Sequence, residues 1–217
     1  AYEIKECDWS SDVCSSDLWG LADTIVIREV LEQKIYDLSK FRPPSVVVDI
    51  GAHIGTFAVQ CRQRWPRCEI FCIEPMDHNL ECLRRNVGAG VSVIKGAVSE
   101  SDVVKVYWSP ASAWPWEVSI HDSAFSWDAT EEVPGVADLE RFGKIDLLKF
   151  DCEGGESAII RSGKLKNVRD IVGEWHRNVG GDLDAAVSDL TSNGWSVSVS
   201  EYTSNLAIVS GHNLAWR

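Results

Sequence analysis

The sequence predicts an α/β fold built on a mostly parallel sheet, and three observations carry the prediction. Short β-branched runs alternate with stretches of helical period from about residue 24 to residue 210. The first run, SVVVDI at 45–50, leads straight into a glycine-bearing turn and then a helical stretch. The last two runs are joined by a polar turn too short for a crossover helix, so they must pair antiparallel.

Residues 25–38 place apolar side chains at 26, 27, 30, 31, 35 and 38, a helical spacing with Asp23 or Thr24 as N-cap. FRPPS at 41–45 ends that helix, because proline brings no amide hydrogen to continue it. The first strand spans 45–50 and is followed by a helix at 54–64, a strand at 69–73, a helix at 77–86 and a strand at 91–94. A fourth strand is expected at 145–150, then a helix around 156–161, a fifth strand at 170–174 and a helix at 183–192 closed by Asn193-Gly194. Strands at 195–199 and 206–209 complete the pattern. Residues 107–139 break the rhythm: they are rich in Trp and carry Pro110, Pro115 and Pro134. Lying between the third and fourth strands, this stretch is expected to be a lid or specificity element. Its Trp108, Trp114, Trp116 and Trp127 can stack on a sugar ring, cover an apolar acceptor, or pack a hairpin over the sheet.

Composition bounds the function. The chain has 217 residues, 21 basic and 33 acidic side chains and a formal net charge of -12. Nucleic-acid binding needs clustered Lys and Arg, and the basic runs here are short, at 84–85 and 164–166. No apolar run reaches the roughly 18 to 20 residues of a membrane span, and no secretory leader is visible, so a cytoplasmic protein is expected. The seven cysteines show no zinc spacing and are expected to be buried free thiols. The opening is of another kind. DWSSDVCSSDL at 8–18 lacks the alternating oxygens, Gly and closing Glu of a calcium loop, and Cys14 has no CxxC or His partner. It matches the in-frame translation of a common sequencing-adaptor oligonucleotide. Residues 1–18 are therefore set aside as artefactual or disordered, and residues 19–217 are read as a single domain, a length that suits one core.

Chemistry-bearing residues fall at strand ends. In VVVDIGAHIG at 46–55, Gly51 and Gly55 occupy a strand-to-helix turn. Glycine there lets a ligand approach the backbone, and the helix start offers free N–H groups. The spacing G-x-x-x-G differs from the dinucleotide pattern G-x-G-x-x-G, which disfavours an NAD-linked oxidoreductase. By itself the motif serves equally as a structural turn. IEP at 73–75 adds Glu74, 19 residues after Gly55, where a carboxylate either accepts from ribose hydroxyls or simply faces solvent. KFDCEGGE at 149–156 ends the fourth strand, with Lys149, Asp151 and Glu153 alternating on one face, so a Lys149–Asp151 ion pair is the competing reading. GEWH at 173–176 ends the fifth.

Three stretches, VVVDIGAHIGTF, FCIEPMDHNLECLRRNV and IDLLKFDCEGGESAII, resemble the class I S-adenosylmethionine-dependent methyltransferases and, more narrowly, the FkbM family. The pattern K-x-D-x-E-G-x-E is the most specific of them. The likeness spans about residues 24–210 and is weakest at 107–134. It implies a Rossmann-like fold with a seven-stranded, mostly parallel sheet of order 3-2-1-4-5-7-6, the last strand antiparallel and helices on both faces. It also implies S-adenosylmethionine as cofactor, held by Asp49, Gly51, His53, Gly55, Glu74 and Asp151, and O-methylation of a hydroxyl on a sugar, glycan or secondary-metabolite acceptor. An alcohol must lose its proton as the methyl arrives, which asks for a base or a metal. Asp151, Glu174 and His176 end adjacent strands and are the catalytic candidates; the same three can hold a divalent cation, Mg²⁺ or Mn²⁺. His176 is either that base or only a hydrogen-bonding loop residue. The alternative to an enzyme is an inactive methyltransferase-like fold that serves as a nucleotide-binding or interaction module.

Overall fold

The computed structural model describes residues 21–99, 101–108, 118–120, 129–136, 139–161 and 164–216. The segment set aside at 1–18 lies outside them, as do Trp114, Trp116 and Trp127. The helix expected at 25–38 is a composite. Helix α1 (Leu21–Ile27) runs into a π-helical turn at Arg28–Gln33, which ends where Lys34 takes a left-handed conformation at φ 56° and returns its N–H to Glu29 O. That turn stops the helix short and redirects the chain, so that Tyr36 and Leu38 enter the core.

Seven strands form the main sheet: β1 (Val46–Ile50), β2 (Glu69–Glu74), β3 (Val91–Lys95), β7 (Ile145–Phe150), β8 (Val168–His176), β9 (Trp195–Glu201) and β10 (Leu206–Asn213). Their order is β3-β2-β1-β7-β8-β10-β9, the predicted order once the sheet strands are counted along the chain. β10 runs opposite to the other six strands. Alternation along each strand divides the core. Val47, Ile70, Leu147 and Val172 face α2 (Thr56–Arg64), α3 (Asp77–Val87) and the segment carrying Tyr36. Val48, Leu148, Ile171 and Trp175 face α4 (Glu156–Arg161) and α5 (Leu183–Ser192). These positions are essentially closed to water, each large apolar side chain contributing about 1.5–3 kcal/mol on burial. Asp49, Lys149, Asp151, Glu174 and His176 follow the parity of Val47, Leu147 and Val172, so they end on the face that holds Tyr36.

The stretch after β3 builds a second, antiparallel sheet of order β5-β4-β6, from β4 (Val103–Trp108), β5 (Val118–Ser119) and β6 (Ala129–Pro134). Val106 and Val133 pack on Met76 to make its small core. Cys61, Cys68, Cys72, Cys82 and Cys152 are free thiols. No described helix is long and apolar enough to cross a membrane.

Candidate active site

The strand ends of β1, β2 and β7 enclose a cleft with two unlike corners. At the β1–β2 corner, Gly51 turns at φ 71° and its N–H and that of Ala52 donate to Ile73 O at 2.9 and 3.0 Å. A Cβ on Gly51 would sit 1.6 Å from Asp151 O, so the glycine is what lets the tips of β1 and β7 meet. Gly55 does another job: a Cβ there would strike Leu83 and Val87 of α3, at 2.6 and 2.9 Å. Glu74, 3% exposed, is gripped by the protein itself. Its Oε1 accepts from Met76 N and Asn79 Nδ2, both at 3.0 Å, and its Oε2 accepts from His53 N at 2.9 Å. Burial pushes the Glu74 carboxyl above its usual value, and these three donors pull it back. Burial holds the His53 imidazole down to about 4. Apolar walls come from Ala97, Val98, and Val106 and Ile120 of the small-sheet region.

At the β7–β8 corner charges crowd together. Lys149, 3% exposed, donates to Gly51 O at 2.7 Å and pairs with Asp49 at 3.1 Å and Asp151 at 3.7 Å. Burial would lower its pKa, but Asp49, Asp151 and Glu174 outweigh burial and keep it raised, so the ammonium stays charged. The His176 ring lies among four carboxylates. Nδ1 bonds Glu156 Oε1 at 2.8 Å, while Nε2 stands 3.3 Å from Glu153, 3.8 Å from Glu174 and 4.0 Å from Asp151. Burial opposes a charged imidazole; the Glu156 bond and the Glu153 and Asp151 charges overcome it and raise His176 to about 10. Burial and the neighbouring Asp151 lift Glu174 to about 7, against a bond from Tyr36 that lowers it. Burial lifts Glu153 to about 8, with His176 opposing. Glu153 reaches the cluster because its backbone turns at φ 47°, which few side-chain-bearing residues adopt.

The sequence profile of the methyltransferase FkbM domain matches residues 49–192. The chain belongs to this family. It is similar to Methyltransferase 1 of Beauveria bassiana, 22% identical over 165 residues that cover 62% of this chain and 64% of that protein. It is also similar to methyltransferase sdnD of Sordaria araneosa, 26% identical over 81 residues, 35% of this chain and 31% of that one. The match thus spans less than two thirds of either relative. Among solved structures, a precorrin-6y C5,15-methyltransferase from Geobacter metallireducens aligns at TM-score 0.49 and 16% identity, over 79% of this chain and 81% of that one.

In this FkbM domain, four of the six expected cofactor residues, Gly51, His53, Glu74 and Asp151, line the cleft. The other two lie outside its lining. Asp49 is wholly buried beneath the turn on Lys149, and Gly55 packs α2 on α3. The three expected catalytic residues come together, with His176 Nε2 within 4.0 Å of Asp151 and Glu174. For a cation, the donor atoms that converge within 4.8 Å belong to Asp151, Glu153 and His176, so Glu153 replaces the expected Glu174 in that set. Glu153 and Glu156 stood in the KFDCEGGE motif, which marked them without assigning a role. Tyr36, whose hydroxyl donates to Glu174 Oε1 at 2.6 Å, carried no signal beyond helical spacing nearby.

Proposed function

We propose that this FkbM-domain protein transfers the methyl group of S-adenosylmethionine to a hydroxyl oxygen of a small acceptor. One observation supports this above all: the cleft walled by Glu74 opens at Asp151 onto a cluster in which three carboxylates face one imidazole. When bound, S-adenosylmethionine supplies a methyl made electrophilic by its sulfonium. The residues fit that group. Glu74 Oε2 takes one protein hydrogen bond and so keeps a lone pair for a ribose hydroxyl. Ala97, Val98, Val106 and Ile120 offer apolar surface for a purine, and Asp151 stands where the cleft meets the His176 cluster.

An alcohol oxygen becomes a useful nucleophile as its proton leaves, and a base works best when its pKa lies near the working pH. Glu174, at about 7, meets that condition. In this reading Glu174 takes the acceptor proton. His176, raised to about 10, stays an imidazolium that keeps the carboxylates from repelling one another, and Asp151 holds the ring from the cofactor side. The family likeness points to a sugar, glycan or secondary-metabolite hydroxyl, entering beside the small sheet that carries Trp108.

A divalent cation is the second reading, favoured by the convergence of Asp151, Glu153 and His176. Glu156 on Nδ1 would orient the imidazole for it, as a carboxylate commonly does behind a metal-bound histidine. Mg²⁺ or Mn²⁺ held there would polarise the acceptor hydroxyl and ease loss of its proton, which Glu174 would still receive.

Calorimetry with S-adenosylmethionine tests the main reading. Saturable binding is expected, with stabilisation by about 2.7 kcal/mol at a hundredfold excess over Kd. A protein that binds neither S-adenosylmethionine nor S-adenosylhomocysteine would instead be an interaction module on the same fold. Mn²⁺ that binds wild type but not Glu153→Gln would establish the cation.

A further inference from the structure

We propose that Tyr36 is a positioning residue of the methyl-transfer site, and that residues 21–42 are thereby a working part of it. The inference rests on the methyl-transfer reading. Tyr36 precedes the stretch that the family profile matches, yet it reaches the centre of the charged corner. Its side chain is 1% exposed and stacks edge-on against Phe57, centroids 5.4 Å apart at 89°. Its ring lies 5.8 Å from Lys149 Nζ, within cation–π range. Its hydroxyl donates to Glu174 Oε1 at 2.6 Å, a bond strengthened by the acceptor's charge.

A phenylalanine would fill the same space without bringing a hydroxyl out of water. Burying that hydroxyl is unfavourable unless it makes a hydrogen bond, and here the bond goes to one particular carboxylate. The terminal torsion of a glutamate is broad and roughly two-fold. With Oε1 held by Tyr36, Oε2 is left facing His176 Nε2 at 3.8 Å. The segment delivering Tyr36 is itself anchored. Gln60 Nε2 donates to Val30 O at 2.9 Å, Tyr202 Oη donates to Glu29 at 2.9 Å, and Val26 lines the cofactor cleft. The left-handed Lys34 turns the chain between these anchors and Tyr36. One short segment therefore touches both the cofactor wall and the proposed base.

The test needs no acceptor. S-adenosylmethionine carries a sulfonium charge and S-adenosylhomocysteine does not, so a carboxylate held near the methyl end favours the first over the second. Moving that carboxylate changes the ratio of the two Kd values, whereas a general loosening of the fold weakens both alike. Calorimetry on wild type, Tyr36→Phe, Glu174→Gln and the double variant makes a double-mutant cycle. Tyr36→Phe is expected to lower the preference for the charged ligand by about three- to tenfold. Glu174→Gln should do the same, and the double variant should do no more than Glu174→Gln alone. An unchanged ratio in Tyr36→Phe, or an undiminished effect of Tyr36→Phe in the Glu174→Gln background, would overturn the proposal. Should Tyr36→Phe fail to fold, Glu174→Gln decides: an unchanged ratio there overturns it, because Tyr36 acts through that carboxylate. Wild type that binds neither ligand would overturn the methyl-transfer reading and this inference with it, a result distinct from the others.

Discussion

The two corners of the cleft each gather carboxylates away from water, fully buried at Glu74 and mostly half-buried around His176, and they settle them in opposite ways. Glu74 is met by neutral donors, two backbone amides and the Asn79 side chain. Those donors come from the turn after β1 and the start of α3, so the carboxylate is fixed by the fold. Around His176 the carboxylates are met mainly by charge: one imidazole among Asp151, Glu153, Glu156 and Glu174, with Lys149 behind. Backbone donors hold a geometry whatever the pH. A cluster held by charge changes its proton count as its surroundings change. The first arrangement suits a group that only binds, the second a group that must take up a proton.

That contrast is most exposed to a change at Glu174. Glu174→Gln should lower methyl transfer to the acceptor by roughly 10² to 10⁴, read as transfer of tritium from labelled S-adenosylmethionine. Turnover within threefold of wild type would place the proton elsewhere and dissolve the division of labour. At the other corner, Glu74→Ala should weaken the cofactor by about 1.5–3 kcal/mol, with the loss falling on the KM for S-adenosylmethionine more than on kcat. A loss confined to kcat would show that both corners do chemistry.

The smallest effect is on stability against pH. His176 is raised to about 10, Glu174 to about 7 and Glu153 to about 8. In each case the folded state binds more protons than the unfolded chain, so stability is full at low pH and is lost as pH rises through the folded value. For the two carboxyls the window opens near the ordinary carboxylate value and closes near 7 to 8; for His176 it closes near 10. His53, held down to about 4, acts with the opposite sign, but only below the ordinary histidine range. Urea unfolding should therefore show stability falling from the ordinary carboxylate range up to about pH 10, with the Glu153 part, on the order of 1 kcal/mol, lost by about pH 8 and removed in Glu153→Gln. Equal slopes in wild type and Glu153→Gln would mean that the charged corner does not titrate as described.

Much of the fold was legible because β-branched runs announce buried parallel strands. β7 and α5 stand at their expected bounds, and β1, β2 and β3 within a residue. The strand order followed from the family likeness, and the terminal antiparallel pair from turn length alone. The composite first helix was not legible, since a π turn keeps apolar residues near helical spacing while shifting where the helix ends. β4 was missed although VVKVYW is β-prone, because the Trp- and Pro-rich run beside it obscured the pattern. In the site, strand parity brings Lys149 to the cleft face, but β7 ends at Phe150, so the expected alternation on one strand face does not extend to Glu153, which lies in the turn beyond. The left-handed backbone at Glu153 is a conformation that residue type does not reveal. Asp49 is among the cofactor residues that the family likeness implies; its burial under Lys149, outside the cleft lining, is a matter of three-dimensional packing. Tyr36 meets Glu174 across 138 positions, a separation that local pattern cannot bridge.

The placement of β10 bears on how the protein is made. β10 inserts between β8 and β9, and its Ile208 and Leu206 pair with Glu174 and His176. On a growing chain, β8 leaves the ribosome with that edge bare, and it stays bare until residues 206–213 emerge. An open strand edge invites pairing with other chains, and domains emerging during synthesis are most at risk while such edges wait. The strand that carries the proposed base is thus the one completed last, so a nascent or prematurely ended chain has neither a finished sheet nor a finished site.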